Sequence, residues 1–108
     1  MSGIDFNDYQ KLAMRTCKKF KEEYEMQTDV GLGLCGEAGE VADIIKKHLA
    51  GAKELDKQHL KEELGDVLWY LAEACECFGF KLEDVAKSNI DKLAKRHPNG
   101  FSGYGIRD

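Results

Sequence analysis

Apolar residues recur at helical spacing in four stretches of the 108-residue chain, and no stretch alternates as a strand would. The first predicted helix runs from about Asp5 to Tyr24, with Phe6, Ala13, Met14, Cys17, Phe20 and Tyr24 on one broad face. The second runs from about Asp29, with Thr28 as N-cap, to Ala50, and Gly51 stops it. The third starts near Asp56 or Lys57 and ends at Phe78 before Gly79, and the fourth covers Leu82 to about His97, closed by Pro98. Short connections such as "GAKELD" favour antiparallel neighbours. The expected fold is all-α and four-helix bundle-like.

Two glutamates break the hydrophobic pattern. In "GEAGEVADIIKK" (36–47), projection at about 100° per residue places Glu37 in the middle of the sector made by Leu34, Val41, Ile44 and Ile45. Glu40 lies on that sector's edge. The third helix repeats the anomaly: Glu63 falls among Leu60, Leu64, Val67, Leu71 and Ala74, with Asp66 beside it. "EAGEV" at 37–41 is echoed by "ELGDV" at 63–67. Helical residues three apart are neighbours, about 5–6 Å between Cβ atoms, so each helix offers a claw of two inward carboxylates.

Desolvating such charges costs several kcal/mol per ion, and mutual repulsion adds to it. A divalent cation relieves both; a network of buried Lys or Arg is the alternative. Four oxygen donors suit Mg²⁺ or Mn²⁺. Di-iron bundles use Glu-x-x-His, and neither claw has a histidine at that position, which argues against a redox bundle. His48 and His59 read as ordinary histidines, and Glu62, Glu73, Glu76 and Asp43 as a solvated face, with Asp43 a candidate to support the claw. Gly39 and Gly65 project opposite Glu37 and Glu63 and read as points of close helix approach.

On the fourth helix Asn89, Lys92 and Arg96 share a flank with the apolar positions Leu82, Ala86 and Leu93. Two cations there either pair with the claws or a neighbouring helix, or hold phosphate oxygens, with Asn89 orienting a phosphate or sugar. Tyr70, one turn after Asp66, is placed to donate its hydroxyl to a phosphate or to pack under a sugar or base; an interior tyrosine would look the same. Trp69, Tyr24 and Phe20 are further stacking candidates, although Trp69 projects away from the claw towards an interface.

Composition narrows the class. The length allows one domain, taken as residues 1–101 with a tail at 102–108 that is either a frayed end or an arm over a subunit neighbour or the active site. A net charge of −4 gives no footprint for nucleic acid. "MSGIDFNDYQ" reads as neither a signal peptide nor a membrane span, so the cytoplasm is the expected compartment. Cys17, Cys35, Cys75 and Cys77 form no CxxC pair and are expected to be small, reduced core residues.

The segments "DYQKLAMRT", "GLGLCGEAGEVADIIKK", "LKEELGDVLWYLAEAC" and "NIDKLAKRHPNGF" together resemble a MazG-type member of the all-α nucleoside triphosphate pyrophosphohydrolase superfamily over residues 5–101. Its pattern is EExxE, a spacer, then ExxD. Glu37 and Glu40 match the second and third acids and Glu63 and Asp66 match ExxD, with 22 residues between; Gly36 replaces the first acid. The resemblance implies Mg²⁺-dependent cleavage of a (deoxy)nucleoside triphosphate to monophosphate and pyrophosphate, in a homodimer or dimer of dimers. The four acids would hold the metal, Glu40 or Glu63 would act as general base, and Tyr70, Asn89, Lys92 and Arg96 would meet the substrate. A short chain of this kind suggests nucleotide-pool cleansing. A phosphoribosyl-ATP pyrophosphatase and a non-catalytic, metal-stabilised interaction module are the competing readings.

Overall fold

The computed structural model describes residues 3–51 and 53–100. Its helices are α1, Phe6–Met14; α2, Glu23–Leu49; α3, Lys57–Phe78; and α4, Leu82–Arg96, with no strand among the described residues. The tail expected to fray or to reach over a neighbour lies, from residue 101 on, outside the described residues. None of these helices is long and apolar enough to cross a membrane.

The ends of α3 follow the sequence signals. Asp56 Oδ1 accepts the His59 N–H at 3.0 Å, satisfying a donor that the first turn cannot. Gly79 sits at φ +77°, and the Phe80 N–H turns back onto the Cys75 carbonyl at 2.7 Å. Gly51, at φ +76°, ends α2 in the same left-handed way.

The expected first helix instead breaks at Met14. The Ala13 carbonyl, which a continuing helix would give to the Cys17 N–H, is taken by the Thr16 N–H at 3.0 Å, the Thr16 hydroxyl at 2.6 Å and the Trp69 indole at 3.2 Å. The chain restarts six residues before Asp29. There Glu25 accepts the Glu22 N–H at 3.0 Å and the Glu22 side chain reciprocates, a capping box. Thr28 is therefore not a cap; inside α2 its hydroxyl donates to the Tyr24 carbonyl at 2.7 Å.

α2 and α3 form an antiparallel hairpin: Asp29 hydrogen-bonds Glu73, Gly33 lies under Tyr70, and Glu37 hydrogen-bonds Glu63. α1 lies on α3. α4 packs on α1 and α3, and no Cα of α4 comes within 8 Å of α2 among the described residues. A single chain is thus a hairpin with two helices attached rather than a closed four-helix bundle. Gln10 makes the α4 attachment, accepting the Leu82 N–H at 2.7 Å and donating to the Phe80 carbonyl at 3.1 Å. It stands in for the cap that Lys81 does not provide.

Packing is thin. The buried apolar residues are Ala13, Val30, Ala72, Cys75 and Leu82. Leu64, Leu71 and Phe78, spaced seven apart on α3, are 51%, 39% and 53% exposed. The radius of gyration is 17.0 Å, against about 13 Å for a compact domain of this length. Of the cysteines, Cys75 is buried but Cys35 is exposed, and Cys17 lies beyond α1; all are free thiols.

Gly39 and Gly65 do not carry the expected close approach, since an added Cβ would meet nothing within 4 Å at either. Gly33 does: a Cβ there would overlap the Tyr70 ring.

Candidate metal centre

Glu37 on α2 and Glu63 and Asp66 on α3 each turn a carboxylate to one point. Their ligand oxygens all lie within 4.8 Å of one another, the one such group of three acid, histidine or cysteine side chains among the described residues. The antiparallel pairing produces this, because it sets the centre of one apolar sector against the centre of the other. Glu37 and Glu63 are half-buried and Asp66 is exposed, so the cluster is sheltered on the hairpin side and open to a ligand on the other.

The electrostatics show these acids poorly balanced among the described residues. Glu37 Oε2 is shut off from solvent with no hydrogen-bond partner. Its carboxyl is pushed up to about 7 by the hydrogen bond with Glu63, then by burial and the charges of Glu63, Asp66 and Glu40. Among the described residues no lysine or arginine pairs with Glu37, Glu63 or Asp66. The neighbour that does pair is His59, whose Nε2 lies 3.5 Å from Glu63 Oε1. Among the described residues, a buried Lys–Arg network is therefore not what balances this trio. An orphaned oxygen in an all-oxygen donor set fits a hard divalent cation such as Mg²⁺.

Glu40 stands one turn along α2, outside the trio. It lines an adjoining recess with Asp43, Lys47, Lys53, Asp56 and His59. Asp43 is held by Lys47 at 2.9 Å, which keeps its carboxyl below the usual range. Gly36 faces open space. Tyr70 lies across Gly33 with its ring edge-on to Trp69 at 5.0 Å. Burial, then the charges of Asp29, Glu73, Glu37 and Asp66, raise its hydroxyl pKa, so it remains a donor. Trp69 itself belongs to the α1–α3 interface, donating to Thr16 Oγ1 at 2.8 Å.

The α4 residues are elsewhere. Asn89 and Lys92 line a separate cavity of about 620 Å³ with Phe80, Lys81, Val85 and Ser88, and Arg96 is exposed at the helix end. A single chain does not bring them to the claws. Of the other stacking candidates, Tyr24 is 65% exposed and Phe20 lies under the Lys18 ammonium at 5.2 Å.

Two features escaped the sequence pattern. Glu73, expected on a solvated face, is fully buried, because the segment after α1 folds over it. Tyr9 on α1 faces the Asp66 charge; burial first, then that charge, raise its hydroxyl pKa.

Comparison with known proteins identifies the family. The model of the MazG nucleotide pyrophosphohydrolase domain matches residues 26–101, which contain every acid of the cluster. The chain is 37% identical over 75 residues to the Gene 37 protein of Mycobacterium phage L5, covering 66% of each chain. It is 38% identical over 72 residues to the protein YvdC of Bacillus subtilis (strain 168), covering 58% of this chain and 68% of that one. The chain thus spans about two thirds of the length of these relatives. No solved structure matches. By the extent of the family match and the acids it contains, the chain belongs to the MazG nucleotide pyrophosphohydrolase domain family.

Proposed function

We propose that the protein is a Mg²⁺-dependent nucleoside triphosphate pyrophosphohydrolase, cleaving (deoxy)nucleoside triphosphates to monophosphate and pyrophosphate, with nucleotide-pool cleansing as its role. The observation that carries this reading is the convergent trio of Glu37, Glu63 and Asp66 around an orphaned buried oxygen, within a matching family domain. Mg²⁺ held by these acids, with Glu40 from the adjoining turn, would offset the negative charge of a triphosphate and acidify a bound water. Mn²⁺ would substitute.

In hydrolysis to a monophosphate, water adds to the α-phosphorus and the bond to the α–β bridging oxygen breaks. The attacking water gives its proton to a carboxylate. Glu63, half-buried and beside His59, and Glu40, facing the recess, are the two candidates. Tyr70, whose hydroxyl stays protonated, is placed to donate to a phosphate or sugar oxygen.

The site is completed by a second copy. Lys92 and Arg96 lie on a helix with no Cα within 8 Å of α2 among the described residues, and the apolar residues Val85, Ile90 and Leu93 of that helix are exposed. A homodimer or dimer of dimers would cover these surfaces and the α3 stripe of Leu64, Leu71 and Phe78. It would also carry Asn89, Lys92 and Arg96 to another chain's acids, where cations would steady the leaving pyrophosphate. Light scattering during gel filtration tests this: a fully active monomer would overturn it.

The activity is tested by following monophosphate and pyrophosphate from a panel of canonical and modified nucleotides with Mg²⁺, Mn²⁺ or EDTA. Equal amounts of the two products, lost in EDTA, are expected. No turnover by folded, metal-binding protein would redirect the reading to phosphoribosyl-ATP or to a non-catalytic module.

A further inference from the structure

Further along the same hairpin seam, away from the metal acids, a buried carboxylate, Glu73, meets the half-buried Asp29. Glu73 on α3 is 0% exposed, the one fully buried charged residue among the described residues. The Cys17 thiol donates to Glu73 Oε2 at 3.6 Å. The other oxygen, Oε1, is sealed from solvent and receives no N–H, O–H or S–H from the described residues. The remaining side chain in hydrogen-bond contact with Glu73 is another acid, Asp29 of α2. Two carboxylates can be joined that way only if a proton stands between them.

We propose that Asp29 and Glu73 are a proton-sharing pair, a latch that ties the segment after α1 to the α2–α3 hairpin and loosens when its proton leaves to solvent. Three parts of the fold meet there: Cys17 and Lys18 from the segment after α1, Asp29 from α2, and Glu73 with Tyr70 from α3. Lys18 is the sole cation among these groups and is itself exposed, so it offsets little of a second buried charge. A cation could neutralise the pair, but the ligand atoms of Cys17, Asp29 and Glu73 do not all lie within 4.8 Å of one another, as those of the metal trio do. The thiol is a donor here, and burial followed by the Glu73 charge pushes it up to about 11, so it does not become a competing anion.

The direction of the pH effect follows. Burial, then the hydrogen bond and charge of Asp29, push the Glu73 carboxyl up to about 7 from 4.5, against the opposing pull of Cys17 and Lys18. An acid raised on folding contributes stability in full below its unfolded value and loses it as pH rises through the folded value. The latch is therefore closed near pH 5 and open above pH 8. This inference does not depend on the catalytic reading.

The test combines thermal unfolding at pH 5.5 and 8.5 in EDTA with a ¹³C titration of the Glu73 carboxyl, on wild type, Glu73→Gln and Asp29→Asn. Glutamine keeps the donor to Asp29 and the acceptor for Cys17 while removing the ionisation. The variant is expected to melt roughly 5–10 °C above wild type at pH 8.5 and close to it at pH 5.5. In wild type the Glu73 signal should move with a midpoint well above the ordinary range, and Asp29→Asn should bring that midpoint down. If Glu73→Gln does not fold, the two titrations decide. A Glu73 midpoint near 4.5, or a pH dependence of melting unchanged by both variants, would overturn the latch. So would a bound cation, seen as wild-type destabilisation by EDTA at pH 8.5 that Glu73→Gln abolishes.

Discussion

The α2–α3 seam carries acid pairs at two levels, and their different surroundings separate their chemistry. At one level Glu37 meets Glu63 and Asp66; at the other Asp29 meets Glu73. Both include a carboxylate–carboxylate hydrogen bond, a buried oxygen without a partner and a carboxyl pushed up to about 7. The first level is open on one side, has three convergent ligands and, among the described residues, pairs with His59 rather than with a lysine or arginine. It can take a metal and a substrate. The second is sealed by the segment after α1 and offers a thiol donor instead of a third carboxylate, so it keeps a proton. On the proposed reading, accessibility and the neighbouring donors, rather than the acids themselves, would decide which positive charge each level takes.

The two levels can be separated by mutation. Glu63→Gln is expected to reduce triphosphate hydrolysis about 10³-fold while folding is retained or improved, because a half-buried charge crowded by Glu37 is removed. Parallel rate and melting measurements check this; unfolding at unchanged specific activity would make the trio structural. Gly33→Ala acts between the levels. Its Cβ would overlap Tyr70, and displacing that ring should destabilise the hairpin by about 2 kcal/mol, read by urea denaturation. Tyr70→Leu in the same background should restore part of the loss.

Metal addition should separate them by pH. The Glu37 carboxyl is raised from 4.5 to about 7, so the metal-free hairpin loses stability as pH rises across that interval. Mg²⁺ should therefore raise the melting temperature more at pH 8 than at pH 5. Glu63→Gln should abolish the increment and Glu73→Gln should leave it. Gln10→Ala touches neither level. It removes the cap of α4 and should cost about 1 kcal/mol without altering the pH or metal response; a change in either would couple α4 to the seam within one chain.

Much of the scaffold could be read locally. Asp56 and Gly79 bound α3, and the apolar sectors around Glu37 and Glu63 announce two acids in the wrong place. What could not be read was set by distant residues. The break at Met14 depends on Trp69, which reaches Thr16 across 53 positions. Glu73 looks solvated because projection describes one helix, while its burial comes from a separate segment folding over it. Gly33 is required by a ring on the opposite helix, and nothing in its own surroundings along α2 says so. The placement of Lys92 and Arg96 away from the acids reflects how Gln10 attaches α4, again a contact between distant residues.

The most direct measurement is Mn²⁺ binding, followed by electron paramagnetic resonance on wild type, Glu63→Gln and Glu73→Gln at neutral pH. The predicted result is saturable binding in wild type and Glu73→Gln, lost in Glu63→Gln. Undiminished binding in Glu63→Gln, or its loss in Glu73→Gln, would contradict the assignment of metal to one level of the seam and proton to the other.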